Sequence, residues 1–426
     1  VAAVLCYLFI VRGMYALEDL PVKKIPRWSK ICIEVVMVVF FLHTVQVQGT
    51  EIGMWDYIQS VRESSDFYEK EYVNPAKVKM TFPKEKKNLI YIFMESMESS
   101  YADKEDGGTM DDNYIPNLTK LARENVQFTD KKDGKVGGLV CLEATAYTAG
   151  GLVAQTSAIN LKVMNSGAVS DSFLPNLTAL GDILNKQGYN QMFLCGSDGD
   201  FAGRDAYFKT HKDYQIEDYK AAIKEGDIPK DYKVYWGHED KVLYERAKKN
   251  LKKLSKEGKP FNLTMLTVDT HFPNGYICDL CENKYDTTYG NAVACADRQV
   301  YDFVQWIKKQ DFYEDTTIII AGDHTSMVDT GSKFWKSLSN DYQRTVYNAI
   351  INPQCAYKKK VTTKRKFSTM DMFPTTLAAL GVEIDGNKLG LGTNLFSGEE
   401  TLREELGANY INKELKRNDK MYNQFY

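Results

Sequence analysis

The pattern of apolar and polar residues separates a short N-terminal part of the chain from a long part in which two periodicities alternate. Continuous apolar runs of a strand's length alternate with segments whose apolar residues recur at helical spacing. The runs lie at Leu89–Met94, Gln191–Cys195, Phe261–Val268 and Thr316–Ala321, and the helical patterns at 118–124, 177–187, 241–257 and 292–309. Unbroken apolar runs are typical of parallel strands buried on both faces. The alternation predicts an α/β fold: a doubly wound, mostly parallel sheet flanked by helices.

The N-terminal part has a pattern typical of membrane helices. Val1–Val11 and Ile31–Val47 are apolar, and the segment between them is rich in Lys and Arg. The 17 residues of the second segment would span roughly 25 Å as a helix, close to a bilayer core. We predict transmembrane helices in residues 1–48, with a basic cytoplasmic loop and the following chain outside the membrane. A buried or interfacial helix is the alternative. Because the chain starts without Met, we expect it to begin inside a larger protein.

The remaining boundaries follow from composition. We expect a juxtamembrane linker at 49–87, an extracytoplasmic domain at 88–398 and a charged, helix-prone tail at 399–426. Pro116–Asn117 and Pro175–Asn176 are interpreted as helix starts, since Pro is favoured in a first helical turn. Both Asn residues also stand in Asn-Leu-Thr triplets that match a glycosylation acceptor.

Charge and histidine content narrow the chemistry. The formal net charge is −3, from 54 basic and 57 acidic residues, so no overall field favours nucleic acid as a partner. The chain has 5 His, too few for a metal site rich in imidazole and a further set of catalytic histidines.

Metal-compatible side chains follow three of the predicted strands. They are Glu95, the pair Asp323–His324, and the segment Asp269–His271. Parallel strands bring their carboxyl ends to one edge of the sheet, so these groups are expected to converge. A set of Glu, Asp and His suits Mn²⁺, Mg²⁺ or Zn²⁺.

A candidate nucleophile precedes a pair of glycines. Thr148 opens a stretch of small residues that is expected to start a helix, where free N–H groups favour an incoming phosphate. Metal coordination would lower the pKa of its hydroxyl. Thr145 is the competing candidate, and a helix cap is the alternative role of either residue.

Several short motifs occur in a specific order. They are Phe93–Ser96, Tyr147–Gly151, Phe193–Asp198, Phe201–Arg204, Asp269–Pro273, Gly322–His324 and Asp371–Thr375. The ordered set resembles the extracytoplasmic domain of membrane phosphoglycerol transferases: lipoteichoic acid synthases and the enzymes that decorate periplasmic glucans with phosphoglycerol. These enzymes form part of the sulfatase-like branch of the alkaline phosphatase superfamily. The resemblance covers roughly Asn88 to Ser397.

The resemblance implies a site and a reaction. Glu95, Thr148, Asp323 and His324 would bind one divalent ion, typically Mn²⁺, with Thr148 as the nucleophile. Arg204 and His271 would hold the phosphate and glycerol of the donor, and His271 is also a candidate acid for the leaving alkoxide. The donor would be phosphatidylglycerol in a bacterial cell membrane, and the acceptor a glycan, glycolipid or polyglycerolphosphate.

Two positions depart from the lipoteichoic acid synthases. This chain has Ala202 where they carry a tryptophan, and Tyr147 where a lysine precedes their nucleophile. Both differences favour the glucan-modifying subgroup and leave the acceptor open. Trp236 is a candidate aromatic wall for glycerol or sugar, although its residue type favours a place in the core.

Three cysteines follow the His271 motif: Cys278, Cys281 and Cys295. Three thiols are too few for a closed zinc site, so we expect a disulfide among them whose pairing stays open.

Three other functions are alternatives. Phosphoethanolamine transfer usually uses zinc and more histidines, and a sulfatase needs a Cys/Ser-x-Pro-x-Arg run that this chain lacks. The third alternative is a non-catalytic module that binds anionic lipid or polymer.

Overall fold

A computed structural model describes residues 27–51, 54–55, 62–132, 134–162, 172–212, 214–339 and 341–426. The chain divides into two compact units. The smaller comprises residues 1–65 with 416–419, and the larger comprises residues 66–415 with 420–426. In the smaller unit, helix α1 spans Arg27–Glu51, and strand β1 (Ser64–Ser65) pairs in parallel with β12 (Asn418–Asp419).

The larger unit is built around a six-stranded sheet. Its strands are β3 (Asn88–Met94), β4 (Asn190–Cys195), β5 (Gln215–Glu217), β6 (Phe261–Leu266), β7 (Thr316–Gly322) and β8 (Asn348–Ile351). Their order is β5-β4-β6-β3-β7-β8; β8 runs antiparallel to β7, and the other neighbours are parallel. The predicted α/β fold and its four predicted strands are confirmed.

The helices lie on both faces of the sheet. They are α2 (Phe67–Glu71), α3 (Pro116–Glu124), α4 (Thr148–Ser157), α5 (Leu180–Lys186), α6 (Arg204–Thr210), α7 (Tyr219–Glu225), α8 (Asp240–Leu254), α9 (Thr288–Ile307), α10 (Met372–Ala379), α11 (Leu402–Glu405) and α12 (Ala408–Lys416). The larger unit also has two short antiparallel strand pairs. They are β2 (Met80–Thr81) with β9 (Glu383–Ile384), and β10 (Lys388–Leu389) with β11 (Gly392–Thr393).

Burial on both faces explains why the strands read as unbroken apolar runs. In β3, Leu89, Tyr91 and Phe93 enter one core, whereas the alternate residues enter a second core on the opposite face. Helices α4, α5, α6 and α10 contribute to the first core, and α3, α8 and α9 to the second. Successive strand residues point to opposite faces, so a strand covered on both sides has no polar face to alternate.

Strand β6 ends earlier than predicted. It stops at Leu266, two residues before the predicted end. The N–H groups of Val268 and Asp269 donate to the carboxylate of Asp240, at 2.7 and 3.1 Å, instead of to a neighbouring strand. A side chain from another element therefore sets this boundary.

One of the two predicted helix starts is wrong. Helix α3 does begin at Pro116, but Pro175–Asn176 lies in a turn, and α5 begins only at Leu180. Asn176 is engaged elsewhere, because its side chain donates to the carbonyl of Gln424 at 3.0 Å. The N–H of Ala179 instead donates to the Asp182 carboxylate at 2.9 Å, which closes the first turn of α5.

The predicted membrane helices are not confirmed. Val1–Val11 lies outside the described residues, and Ile31–Val47 falls within α1. Among the helices that the structure describes, none has both the length and the apolar character needed to cross a membrane. The boundaries at 48, 87 and 398 stay predictions.

The predicted helical tail contains α11 and α12, and residues 399–415 and 420–426 of it belong to the larger unit. Tyr422 is buried, and its hydroxyl donates to the carbonyl of Asn160 at 3.2 Å.

The start of α3 generates a stability prediction. The buried carboxylate of Asp297 accepts from the N–H groups of Asn117 and Leu118, at 3.1 and 2.7 Å. Asp297→Ala leaves both donors without this acceptor, so the free energy of unfolding should fall by about 1–3 kcal/mol. Denaturant unfolding measures the change. The control Asp302→Ala alters an exposed carboxylate of the same helix α9 and should leave stability unchanged, and equal losses in both variants would contradict the capping role.

Candidate metal and phosphate site

Four polar side chains meet at the carboxyl edge of the sheet. Glu95 follows β3, Asp323 and His324 follow β7, and Thr148 is the first residue of α4. Glu95, Asp323 and His324 each offer a ligand atom, and these atoms lie within 4.8 Å of one another. The hydroxyl of Thr148 lies 3.3 Å from Glu95 Oε2 and 3.4 Å from His324 Nε2. The structure thus brings together the four residues expected to hold the ion.

The backbone around Glu95 is held by the neighbouring strand end. Its N–H donates to Thr267 Oγ1 at 2.9 Å, and its carbonyl accepts from the hydroxyl of Thr270. Ser96 has a φ of 51°, so the chain turns sharply immediately after Glu95. The turn directs the N–H of Ser96 to Asp323 Oδ1, at 2.8 Å, and so links the two carboxylate-bearing segments.

The hydrogen bonds of Asp323 and His324 leave two acceptor atoms in the site. Asp323 Oδ1 accepts from the N–H groups of Ser96 and His324, whereas Oδ2 is buried and has no hydrogen-bond partner in the described chain. His324 Nδ1 lies 2.8 Å from the carbonyl of Thr325, which can only accept, so Nδ1 carries the proton. The lone pair of His324 is therefore on Nε2, beside Glu95 and Thr148.

Burial and like charge make this cluster costly without a cation. Burial, and next the adjacent Glu95, raise the pKa of Asp323 to about 7. Burial lowers the pKa of His324, but Asp323 and Glu95 outweigh it and raise this pKa overall. Carboxylate oxygens, one imidazole nitrogen and a hydroxyl fit a single divalent ion of the Mn²⁺, Mg²⁺ or Zn²⁺ type.

Close packing of α4 against β7 places Thr148. A Cβ on Gly151 would lie 2.2 Å from the carbonyl oxygen of Asp323, so a larger residue does not fit there. Gln155, one turn further along α4, donates to the carbonyl of Gly322 at 2.9 Å. These contacts explain the small residues after the threonine.

The competing threonine lies elsewhere. Thr145 is fully buried, and its hydroxyl donates to the carbonyl of Leu142 at 2.9 Å and to no ligand of the cluster in the described chain. Thr148 is half-buried and therefore accessible to a substrate. The geometry favours Thr148 as the nucleophile.

Arg204 opens α6, and its hydrogen bonds go to uncharged oxygens. Its Nε donates to the carbonyl of Phe201 at 3.0 Å, and its Nη2 donates to the carbonyl of Asp198 and the hydroxyl of Ser197. The side chain is buried, and within the described residues these hydrogen bonds go to uncharged oxygens. Since no carboxylate accepts a hydrogen bond from this guanidinium in the described residues, its positive charge is available to bind an anion such as a phosphate.

His271 and Trp236 form an aromatic group on the loops. Their ring centroids are 4.9 Å apart, and the ring of Phe201 lies 5.5 Å from that of Trp236. Trp236 is 38% exposed, so its residue type was misleading: it does not lie in the core. His271 Nδ1 lies 2.8 Å from the carbonyl of Phe272, which leaves the lone pair on Nε2.

Three residues of this region were not anticipated as site residues. Phe201 and Tyr235 are exposed aromatic residues beside Trp236, and the hydroxyl of Tyr235 donates to the carbonyl of His271. Asp240 accepts hydrogen bonds from the backbone of the segment after β6. The adjacent Trp236 was a signal for Tyr235, but nothing local in the sequence marks Asp240, because its partners are 28 and 29 residues away.

Asp269 does not join the cluster of ligands. Its carboxylate is buried, and burial, followed by the charge of Asp240, raises the pKa of Asp269 to about 9. Of the three strand-end groups expected to converge, the one on β6 therefore contributes backbone support and His271 instead of a carboxylate ligand.

The expected disulfide is present, and it joins Cys281 to Cys295. It connects the loop after His271 to α9. The thiol of Cys278 is free and lies 3.6 Å from the sulfur of Cys281.

Comparison with known proteins gives a family model and curated relatives. The model described as sulfatase matches residues 87–382. A phosphoglycerol transferase I of Salmonella choleraesuis (strain SC-B67) is 33% identical over 340 residues, which are 77% of this chain and 41% of that protein. The chain thus spans less than half the length of this curated relative. The predicted resemblance is confirmed.

Solved structures share the fold. The lipoteichoic acid synthase LtaP from Listeria monocytogenes has a TM-score of 0.58 at 19% identity, covering 75% of this chain and 79% of that one. The C-terminal periplasmic domain of EcEptC from Escherichia coli, in complex with Zn, has a TM-score of 0.52 at 14% identity, covering 74% and 88%. At these identities the likeness establishes an α/β fold of the alkaline phosphatase type.

The raised pKa of Asp323 generates a prediction about metal affinity. Below about pH 7 the protonated carboxyl competes with a cation, so the association constant for Mn²⁺ should fall roughly tenfold per pH unit. Calorimetric titration at several pH values measures this slope. Asp323→Asn should abolish binding, whereas Asp302→Asn, an exposed carboxylate on α9, should preserve both the affinity and its slope. An affinity independent of pH would contradict this account of Asp323.

Proposed function

The chain belongs to the sulfatase family, and from this premise we propose that it is a membrane-anchored phosphoglycerol transferase. It moves glycerol phosphate from phosphatidylglycerol, through a covalent threonine intermediate, to a hydroxyl of a glycan, glycolipid or polyglycerolphosphate acceptor. One observation carries the proposal: the accessible hydroxyl of Thr148 lies 3.3 and 3.4 Å from two buried ligand atoms, Glu95 Oε2 and His324 Nε2.

The residues that would hold the ion are Glu95, Thr148, Asp323 and His324. A divalent ion, Mn²⁺ in this proposal, supplies a positive charge that favours the threonine alkoxide and the developing charge on phosphate. The fit rests on two buried atoms, Asp323 Oδ2 and His324 Nε2, which the surrounding hydrogen bonds leave available.

The first step of the reaction exchanges one ester for another. Thr148 gives up its hydroxyl proton to solvent, its Oγ1 forms a bond to the phosphorus of phosphatidylglycerol, and the bond from phosphorus to the diacylglycerol oxygen breaks. Arg204 binds the phosphate oxygens and holds this geometry. His271, with both ring nitrogens protonated, provides the proton for the departing diacylglycerol oxygen through Nε2, while its Nδ1–H stays on the Phe272 carbonyl.

The second step reverses these roles. An acceptor hydroxyl attacks the phosphorus of the glycerophospho-threonine, the bond to Thr148 Oγ1 breaks, and this oxygen takes up a proton from solvent. His271 then removes the proton from the acceptor hydroxyl, as microscopic reversibility requires of the group that gave one in the first step. The exposed rings of Trp236 and Phe201 provide an apolar wall for glycerol or a sugar.

The membrane setting is proposed from the sequence. The two apolar segments and the basic stretch between them support a multi-pass anchor, with the catalytic part outside the cytoplasm of a bacterial cell. Anchoring suits the donor, because the phosphatidylglycerol headgroup lies at the membrane surface and diacylglycerol stays in the bilayer.

The environment of Tyr147 agrees with the proposed subgroup. Its hydroxyl donates to the carbonyl of Leu161, so the side chain bonds within the protein. A lysine at this position would instead present a positive charge. We therefore favour a glycan acceptor of the periplasmic-glucan type over a growing teichoic polymer.

Substitution of the nucleophile tests the mechanism. With a labelled phosphatidylglycerol analogue and Mn²⁺, Thr148→Ala should lower diacylglycerol release at least about 10³-fold, because the attacking oxygen is removed. Thr148→Ser should retain part of the activity and a covalent adduct detectable by mass spectrometry.

Thr145→Ala is the matched control, since this threonine is three residues away and bonds to the backbone instead of the ligands. It should turn over at close to the unsubstituted rate. Unchanged turnover in Thr148→Ala would sink the mechanism.

The guanidinium geometry of Arg204 generates a second prediction. Arg204→Lys keeps the charge but loses the planar fork, so kcat/KM for phosphatidylglycerol should fall about 10–100-fold. Arg123→Lys, on an exposed arginine that pairs with Asp106, is the control. Initial rates with phosphatidylglycerol and with phosphatidylethanolamine measure both the loss and the donor preference, and faster turnover of phosphatidylethanolamine would identify the rival transferase.

A further inference from the structure

Three cysteine sulfurs lie together beside the loop that carries His271. Cys281 and Cys295 form a disulfide, and the sulfurs of Cys278, Cys281 and Cys295 all lie within 4.8 Å of one another. The free thiol of Cys278 is 3.6 Å from Cys281, close to van der Waals contact. A structural disulfide needs only two of these residues. The third, Cys278, places a free thiol beside that disulfide.

We propose that these cysteines form a thiol–disulfide exchange site, in which Cys278 and Cys295 compete for Cys281. The thiolate of Cys278 attacks Cys281 Sγ, a bond forms between Cys278 and Cys281, and the bond between Cys281 and Cys295 breaks. Cys278 releases a proton to solvent, and the Cys295 thiolate takes one up. The count of electrons is unchanged, so the exchange requires no external oxidant or reductant.

The local backbone favours the alternative pair. The N–H of Cys281 donates to the carbonyl of Cys278 at 3.1 Å, so a turn holds the two residues together. Since the three sulfurs lie within 4.8 Å of one another, Cys278 is not yet in line with the disulfide bond. A rotation of its side chain supplies the in-line approach that displacement at sulfur requires.

The two pairings differ in what they connect. The disulfide between Cys281 and Cys295 spans 14 residues and ties the loop after His271 to α9. A disulfide between Cys278 and Cys281 closes only a short ring within that loop and releases the tie. Tyr276 lies in the same loop, where its ring stacks 6.0 Å from Tyr235, whose hydroxyl donates to the carbonyl of His271. Exchange therefore changes the constraint on a loop that contacts the proposed substrate residues.

The charges around Cys278 set the pH at which exchange speeds up. Burial raises the pKa of this thiol, and the carboxylates of Asp269, Asp279 and Glu239 add to the effect. Only the thiolate attacks, so the exchange rate should rise about tenfold per pH unit at pH values below the raised pKa of Cys278.

Disulfide mapping of the full chain in detergent tests the proposal. Samples held at several pH values are quenched with acid, alkylated with N-ethylmaleimide under denaturing conditions and digested without reduction. In the unsubstituted chain we expect two linked peptides, Cys281–Cys295 and Cys278–Cys281, with alkylated Cys295 in proportion to the second. Cys295→Ser, incubated with glutathione disulfide, should form the Cys278–Cys281 pair, and Cys278→Ser should hold only Cys281–Cys295.

Two controls complete the design. Cys195, which is buried away from the cluster, should be alkylated fully in every sample. Amide hydrogen exchange of residues 272–283 should be faster in Cys295→Ser than in Cys278→Ser, which reports the released tie without any assay of activity. A single pairing in the unsubstituted chain at every pH, or free Cys278 and Cys281 in Cys295→Ser, would overturn the proposal. Neither readout depends on the proposed transferase reaction.

Discussion

The pairing of β3 with β7 is the constraint on which the site depends. These strands are parallel neighbours, with Met94 opposite Gly322, so the residues that follow them emerge side by side. The N–H of Asp323 donates to the carbonyl of Met94 at 3.1 Å, and the N–H of Ser96 donates to Asp323 Oδ1. A register shift of one residue would turn these carboxylates away from each other, because alternate strand residues face opposite sides.

The same pairing concentrates negative charge in a buried region, where Glu95 and Asp323 lie close together. Two buried carboxylates within a few ångströms are unfavourable together, and the raised pKa of Asp323 expresses that repulsion and desolvation. Side-chain hydrogen bonds at the carboxyl edge of the sheet hold the backbone on either side of the two carboxylates. Thr267 and Thr270 bond to the backbone of Glu95, and Gln155 bonds to that of Gly322. A divalent cation fits beside the two acceptor atoms that these contacts leave available, Asp323 Oδ2 and His324 Nε2.

Around this cluster the loops supply groups of a different character. Arg204 donates to neutral oxygens, and His271 lies beside the exposed ring of Trp236. In the proposed reaction, the buried charged centre would bind the phosphate and the exposed aromatic residues would contact the glycerol or sugar. The disulfide between Cys281 and Cys295 joins the loop after His271 to α9 and lies apart from the ligand cluster.

The sequence by itself determined the α/β fold, its four main strands and the four candidate ligands. Buried strands appear as continuous apolar runs, and the polar residues that follow them are local features of the sequence. Tertiary structure decided what depends on distant partners. Asp240 ended β6 early, Asn176 bonded to Gln424 instead of starting a helix, and Trp236 lay beside His271 instead of in the core. The choice of Thr148 over Thr145 likewise required three dimensions, since both are threonines of one segment and only the packing of α4 on Asp323 places one hydroxyl on the ligands.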